Sequence, residues 1–204
     1  NPGIKKYLSL ANWMKFMFLS SLMRMGISNN DYILVTSETI AQELRDRFPG
    51  KNLKVKVAKL AANKELKSNN VAKTVDSGIS LGYVAGFYPH KGHKKALNLM
   101  KDLQQSERGK NIKLFFRGSK VYKDYYEEVE SLIEKEGLKD KVFMEGFDPK
   151  LTIDEIYQKY TATLMLSEYE GFGLPVLESQ SFSKPVICSD IQVFKENLNN
   201  SAIY

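Results

Sequence analysis

One stretch of the sequence combines two carboxylates with a glycine turn, and it is the part of the chain best suited to chemistry on a phosphorylated ligand. Glu170 and Glu178 are separated by seven residues, and Gly171 and Gly173 lie between them. Glycines let the backbone approach a ligand closely. A turn that leads into a helix N-terminus presents free N–H groups and the positive end of the helix dipole, which suits a phosphate. The pattern therefore predicts an anion site flanked by two acidic side chains.

The elements on either side of this stretch are those that such a site requires. The short apolar run at residues 162–166 predicts a buried parallel strand. Pro175 is well suited to the first position of a helix, where its missing N–H costs nothing. The alternative is an ordinary strand, turn and helix with two solvated glutamates, and the glycine turn between the glutamates favours the ligand site.

The residues EGFGLPVLE, followed by SKPVICSD, resemble the Glu-x7-Glu signature of retaining glycosyltransferases with the two-domain GT-B architecture, in particular family 4, the glycosyl transferases group 1. The resemblance implies that Glu178 binds the ribose hydroxyls of a nucleotide sugar. It implies that Glu170 is the catalytic-site residue that orients the transferred sugar without attacking it. The amides that would hold the diphosphate are those of the turn: Gly171, Phe172, Gly173 and Leu174.

A second loop, at residues 82–93, is implicated by the same resemblance. Members of the family carry a Gly-rich loop after the first strand of this domain, with an early Arg and a late Lys-Gly that grip the diphosphate. Lys91 and Gly92 match the late pair, whereas the place of the Arg falls at Gly86. Arg117, which directly follows the second strand, could supply the missing charge, or it could belong to an exposed basic loop. Both interpretations of Arg117 remain open from the sequence.

Two further loops complete the expectations for the site. Residues 142–146 are similar to the V-x-F-x-G pattern of the family, and the resemblance implies that Phe147 and Asp148 lie against the base. The histidines, His90 and His93, are predicted to be solvated loop residues or a helix cap. No Cys/His pair or Asp-x-Asp has the spacing of a metal site, so metal-independent chemistry without a cofactor is expected, with a UDP- or GDP-linked sugar as substrate.

From residue 79 onward, strand and helix patterns alternate, which predicts an α/β fold with a doubly wound, parallel, Rossmann-like sheet. The resemblance makes this one half of a GT-B architecture. It implies three parts: residues 1–63 as the C-terminal part of the amino-terminal acceptor domain, 64–77 as a linker, and 78–204 as the donor-binding domain, truncated at its C-terminus. Residues 5–25 predict a helix, and its composition favours burial between layers over a membrane-surface helix.

Composition limits the class of protein. The 204 residues carry a net charge of +6, which is compatible with nucleic acid, an anionic membrane face or phosphorylated ligands. Cys188 is the single cysteine and lies in an apolar run, so it predicts a buried thiol and no internal disulfide framework. No signal peptide or spanning segment is recognisable, and a cytoplasmic location is expected, at the cytoplasmic membrane face if the acceptor is lipid-linked.

The resemblance implies a glycosyltransferase of polysaccharide biosynthesis that moves a sugar, with retention, from a nucleotide-sugar donor to a glycan or lipid-linked saccharide. This chain would be a fragment that supplies the donor site and is inactive alone. One alternative is a basic nucleic-acid-binding module, supported by the net charge and the KGHKK run. Against it, the aromatic residues fall in apolar periodic positions, so no nucleic-acid partner is expected. The other alternative is a non-catalytic domain that binds a nucleotide sugar.

Overall fold

The protein was analysed as a computed structural model that describes residues 17–18, 21–22, 25–27, 32–49, 52–62 and 78–204. These residues contain two parallel sheets that are not hydrogen-bonded to each other, one of two strands and one of five. The two-stranded sheet comes first in the chain, and the five-stranded sheet contains the glycine turn.

The two-stranded sheet and its helix are built from β1 (Ile33–Val35), α1 (Glu38–Arg47) and β2 (Val55–Val57). Ser37 caps α1 by accepting a hydrogen bond from the backbone N–H of Ile40 at 3.2 Å. The alternation of valine and lysine in β2 produces a half-exposed strand, with Lys56 facing solvent.

The second sheet alternates strands with helices along the chain, and short 3₁₀ turns at Pro89–Lys91 and Gly109–Asn111 precede α2 and β4. Its elements are β3 (Ile79–Val84), α2 (His93–Leu103), β4 (Ile112–Arg117), α3 (Lys123–Lys135), β5 (Val142–Met144), α4 (Ile153–Gln158), β6 (Ala162–Met165), α5 (Leu174–Ser181), β7 (Val186–Cys188) and α6 (Gln192–Leu198).

The strand order β5-β4-β3-β6-β7 is parallel throughout, which confirms the doubly wound α/β sheet. The chain runs outward from β3 to β5, then returns to the other side of β3 to form β6 and β7. The carboxyl ends of β3 and β6 therefore lie side by side at the point where the strand order reverses. Ligands of open α/β sheets bind in the crevice at this point.

The core of the second sheet is formed by strand residues and aromatic rings that pack on one another. All four residues of β6 are buried, as expected for a strand covered on both faces. Tyr83 meets Phe116 edge to face at 5.4 Å, and Phe87 meets Tyr126 at 4.7 Å in the same way. Because these rings are buried against each other, they are not available to stack on bases, and the nucleic-acid alternative has no support from them.

Several expectations concern segments near the amino terminus. Most of the predicted helix 5–25, and the whole of the linker 64–77, lie outside the described residues. The described part of the first segment is helical, but Met17, Phe18, Leu22 and Met25 are exposed, so burial was the wrong prediction for these side chains.

The remaining expectations concern the thiol, membrane spans and metals. Cys188 is buried as predicted, and burial raises the pKa of its thiol to about 11. Among the described residues, no helix is both long and apolar enough to cross a membrane. Within the same part of the chain, no three His, Cys, Asp or Glu side chains are grouped so that they could hold a metal ion.

Candidate functional site

Two loops meet at the point where the strand order reverses. They are the β3 loop, residues 85–92, and the β6 turn, residues 166–173. The hydroxyl of Tyr83 joins them, because it accepts the N–H of Leu166 at 2.9 Å and donates to the carbonyl of Lys91. Burial raises the pKa of this hydroxyl, so it remains a protonated donor. One buried tyrosine thus fixes the distance between the two loops.

A second set of contacts brings the loops closer still. The N–H of Glu168 donates to the carbonyl of His90 at 2.8 Å. Gly92 has φ of 73°, and a Cβ there would lie 2.0 Å from the carbonyl oxygen of Leu166. Only glycine combines this left-handed backbone with so close an approach. Gly92 is therefore required by the packing of the two loops.

Lys91 and Glu170, one from each loop, form a bidentate ion pair. The Nζ of Lys91 lies 2.7 Å from both carboxylate oxygens of Glu170. Ser167 donates a third hydrogen bond to Oε1 of the same carboxylate, also at 2.7 Å. Glu170 is only 8% exposed, and a buried carboxylate needs such partners. The arrangement holds the carboxylate in one orientation at the base of the crevice.

The β6 turn ends at α5, whose N-terminus is formed without a side-chain cap. Gly173 occupies the N-cap position with φ of 86°, and no acidic residue lies in the first turn of the helix. A Cβ on Gly173 would come within 2.6 Å of the ring of Phe194, so the turn lies tightly on α6. The sequence predicted Pro175 at the first position of the helix, but it is the second residue of α5. An uncapped helix end beside a cation can accept an anion.

Glu178 lies in the second turn of α5 and is held from α4. Its Oε2 accepts the hydroxyl of Tyr157 at 2.8 Å, and the same hydroxyl lies 3.0 Å from the carbonyl of Pro175. Burial raises the pKa of Tyr157 well above its usual value, and the neighbouring Glu178 raises it further. Tyr157 therefore acts as a permanent donor that orients the carboxylate and leaves Oε1 without a bond to it.

The environment of Arg117 matches neither of the two interpretations that the sequence left open. Arg117 is only 5% exposed, so the exposed-loop interpretation is wrong. Its guanidinium pairs with Glu145 and donates through Nε to the hydroxyl of Tyr160 at 3.2 Å. Burial raises the pKa of Glu145, but donors from Lys159, Tyr160 and Arg117 outweigh it and hold that pKa below its usual range. The charge of Arg117 is thus already matched, and its contact with phosphate remains a prediction.

The position where the resemblance places an arginine is closely surrounded. A Cβ on Gly86 would lie 3.2 Å from the ring of Tyr88 and 3.3 Å from Val121. At the next strand end, Phe147 is 69% exposed, and Asp148 accepts the N–H of Lys150 at 2.9 Å. An exposed aromatic ring at the carboxyl end of the sheet is the kind of group that can cover a base, and its role remains a prediction.

His93 is the largest departure from expectation in this region. It was expected to be solvated or to cap a helix, but its side chain is completely buried, and no hydrogen-bond partner for either ring nitrogen is present among the described residues. It stacks on Phe87 with ring centroids 4.4 Å apart. Burial lowers the pKa of His93 to about 3, and the charge of Lys91 acts in the same direction, while the backbone of Ala85 offsets part of the effect.

The structure therefore brings together Lys91, Gly92 and Glu170 with the turn residues, and it places Arg117 in a separate buried pair. Sequence reasoning missed Ser167 and Tyr83 as the residues that hold them. Ser167 lies between the predicted strand and the glycine turn, three residues before Glu170, and a small polar residue at that place was a usable signal. Tyr83 gave no such signal, because it resembles any other apolar residue of a strand.

A family model and several known proteins match this chain. The model described as glycosyl transferases group 1 matches residues 57–202. The chain belongs to this family. It is 26% identical over 203 residues to the O-antigen chain mannosyltransferase RfbU of Salmonella typhimurium, and the aligned residues cover 92% of this chain and 50% of RfbU. It is 33% identical over 136 residues to the serotype-specific mannosyltransferase WbdA of Escherichia coli, covering 64% of this chain and 16% of WbdA.

Solved structures of similar fold agree with this group 1 assignment at the level of architecture. Anabaena Alr3699/HepE, crystallised with UDP and glucose, superposes with a TM-score of 0.73 at 17% identity, over 94% of this chain and 51% of that one. TarM superposes with a TM-score of 0.71 at 18% identity, over 89% of this chain and 35% of TarM. The group 1 chain thus spans half of RfbU and at most about half of these structures.

Proposed function

We propose that this chain forms the nucleotide-sugar donor site of a glycosyltransferase that transfers a sugar with retention. The observation that carries the proposal is the meeting of Lys91, Glu170 and the uncapped N-terminus of α5 at the switch point of the sheet. The remaining N–H donor of Lys91 and the positive end of the helix dipole favour an anion there. Membership of the group 1 family supports a nucleotide sugar as that anion.

The largest chemical contribution under this proposal is stabilisation of the leaving group. When the bond between the sugar and the diphosphate breaks, negative charge grows on the diphosphate. A fixed cation and fixed backbone dipoles lower the energy of that charge without having to reorganise. Lys91 is fixed by Glu170, and the β6 turn is fixed by its contacts with α6, so both are preorganised. Glu170 would orient the sugar, and Glu178 would bind the ribose.

The relatives support a hexose as the transferred sugar and a glycan as the acceptor. RfbU and WbdA are named as mannosyltransferases, and RfbU is named for the O-antigen chain. We propose a UDP- or GDP-linked hexose, in particular mannose, and a growing or lipid-linked saccharide acceptor at the cytoplasmic membrane face. Metal-independent transfer remains part of the proposal. Since the chain spans half of RfbU, we propose that acceptor binding depends on a further domain and that this chain alone transfers no sugar.

The test is nucleotide binding by Glu178→Ala. Titration calorimetry with UDP and GDP measures the affinity of the wild type and the variant for the better nucleotide. A charge-assisted hydrogen bond contributes about 1.5–3 kcal/mol, so loss of the ribose contacts predicts an affinity at least about tenfold lower. The fold is expected to persist, because the hydroxyl of Tyr157 can still donate to the carbonyl of Pro175.

The matched control is Glu127→Ala, which removes an exposed glutamate of α3 that pairs only loosely with Lys123 at 3.6 Å. This variant should bind as the wild type does. Unchanged affinity in Glu178→Ala would refute the ribose role. Absence of binding by the wild type to both nucleotides would refute the donor site itself.

A further inference from the structure

The N-terminus of α1 is hydrogen-bonded to the turn that carries Glu170. The hydroxyl of Thr36 donates to the carbonyl of Gly171 at 3.0 Å, and the hydroxyl of Ser37 donates to the same oxygen at 3.1 Å. A carbonyl oxygen has two lone pairs, so both are used. A Cβ added at Gly171 would meet nothing within 4 Å, so packing does not fix this residue. The two hydroxyls are therefore the contacts that hold this point of the turn.

Helix α6 is hydrogen-bonded to both the N-terminus of α1 and the β6 turn. Glu196 accepts the N–H groups of Glu38 and Thr39 at 2.9 and 3.0 Å, so its carboxylate lies on the positive end of α1. Burial raises the pKa of Glu196, but these donors outweigh it, and the pKa is lowered. The next residue, Asn197, donates to the carbonyl of Phe172 at 2.7 Å. Residues 36–39, 171–173 and 194–197 thus form a closed ring of contacts.

We propose that Thr36 and Ser37 are positioning residues for the β6 turn, so that the segment preceding the five-stranded sheet sets the geometry of the donor site through Gly171. Glu170 is covalently bonded to Gly171, and Gly173 is the N-cap of α5. A shift of the Gly171 carbonyl therefore moves both the Glu170 carboxylate and the N-terminus of the helix. The effect on ligand binding rests on the proposed function. The effect on the turn itself does not.

Thr36 is the better residue for a test. The hydroxyl of Ser37 also accepts the N–H of Ile40 as the cap of α1, so its removal would weaken the helix as well as the turn. Thr36→Val removes a hydroxyl and keeps the shape of the side chain, and Thr36→Ser restores the hydroxyl. Thr161→Val is the matched control. The hydroxyl of Thr161 accepts a hydrogen bond from the N–H of Ser80 at 3.1 Å, and it lies at the opposite end of the strands from the turn.

The experiment measures two quantities on the full chain: amide hydrogen exchange at residues 168–173 without ligand, and calorimetric affinity for UDP and GDP compared with uridine and guanosine. Loss of one exposed hydrogen bond predicts exchange about threefold to tenfold faster in the turn of Thr36→Val. It predicts a similar fall in affinity for the diphosphates and none for the nucleosides. Thr36→Ser and Thr161→Val should match the wild type at the turn.

The outcomes separate the two proposals. Unchanged exchange at residues 168–173 in Thr36→Val, or an equal rise across the whole chain, overturns the positioning role. Equal losses of diphosphate and nucleoside affinity also overturn it, because a general loss of stability would act in that way. Faster exchange confined to the turn, in a chain whose wild type binds neither UDP nor GDP, would support the positioning role and refute the proposed function.

Discussion

Replacement of His93 by phenylalanine should remove most of the pH dependence that this histidine gives to stability. The imidazole is completely buried between Phe87 and other rings of the core, and its pKa is about 3 in the folded chain against 6.5 for an ordinary histidine. A base whose pKa is lower in the folded state binds its proton mainly in the unfolded state. Its contribution to stability is therefore complete above pH 6.5 and is lost as the pH falls from 6.5 towards 3.

The size of the effect follows from the two pKa values. Below the unfolded pKa, each pH unit lowers the free energy of unfolding by about 1.4 kcal/mol until the folded pKa is reached. Since pH 5 lies about 1.5 units below the unfolded pKa, the wild type should lose about 2 kcal/mol between pH 8 and pH 5 through His93 alone. In His93→Phe the group does not titrate, and a phenyl ring can take the place of the imidazole on Phe87.

Urea unfolding at pH 8 and pH 5 measures this difference for each protein. The carboxylates titrate alike in both, so the comparison between wild type and variant isolates the histidine. His90→Gln is the comparison variant: burial also lowers the pKa of this half-buried histidine, so its removal should reduce the pH dependence, but by less than His93→Phe does. The loss in the free energy of unfolding between pH 8 and pH 5 should be about 2 kcal/mol smaller in His93→Phe than in the wild type. Equal pH dependence in the two proteins would show that the imidazole is not held neutral in the core.

Two further predictions concern the charged pairs. Lys91→Met should lower the free energy of unfolding by about 3 kcal/mol, because among the described residues it leaves the buried Glu170 carboxylate with Ser167 as its side-chain partner. In urea unfolding, the double variant Lys91→Met/Glu170→Gln should lose clearly less stability than the sum of the two single losses. Additive losses would contradict a coupled pair. Arg117→Met should reduce the affinities for uridine and UDP by the same factor in calorimetry, because the guanidinium is committed to Glu145; a loss confined to UDP would instead support the direct phosphate contact that the sequence predicted.

The elements of the fold could be predicted because their signals are local. Apolar runs marked the strands, and Thr152 and Glu155 have the spacing of a capping box, which is present at the start of α4. The apolar periodicity of residues 121–136 indicates a helix, and α3 spans Lys123–Lys135, a difference confined to the ends. The parallel order followed from the alternation of strands and helices, since a parallel strand needs a crossover connection.

The parts of the site that could not be predicted depend on partners distant in sequence. Arg117 gave the signal of a cation at a strand end, and nothing near it in the sequence indicates that Glu145, 28 residues later, takes its charge. The hydroxyl of Thr36 meets Gly171 across 135 residues. His93 lies in a polar run, KGHKK, so its sequence neighbours indicated solvent, whereas its surroundings in space are the aromatic rings of the core. Local pattern gives the element, and tertiary packing gives the environment of each side chain.

The charge balance of the site explains why the missing arginine matters. An ammonium group has three N–H donors, and Lys91 directs its charge to both oxygens of Glu170, so the pair is neutral as a whole. A diphosphate would therefore be attracted by the one remaining donor, the amides of the turn and the dipole of α5, and not by a net positive charge. An arginine at position 86 would require the ring of Tyr88, which lies 3.2 Å from where its Cβ would be, to shift by a few tenths of an ångström. Under the proposed function, the preorganisation of the turn by residues 36–37 and α6 would therefore carry more of the diphosphate binding than it would beside two free cations.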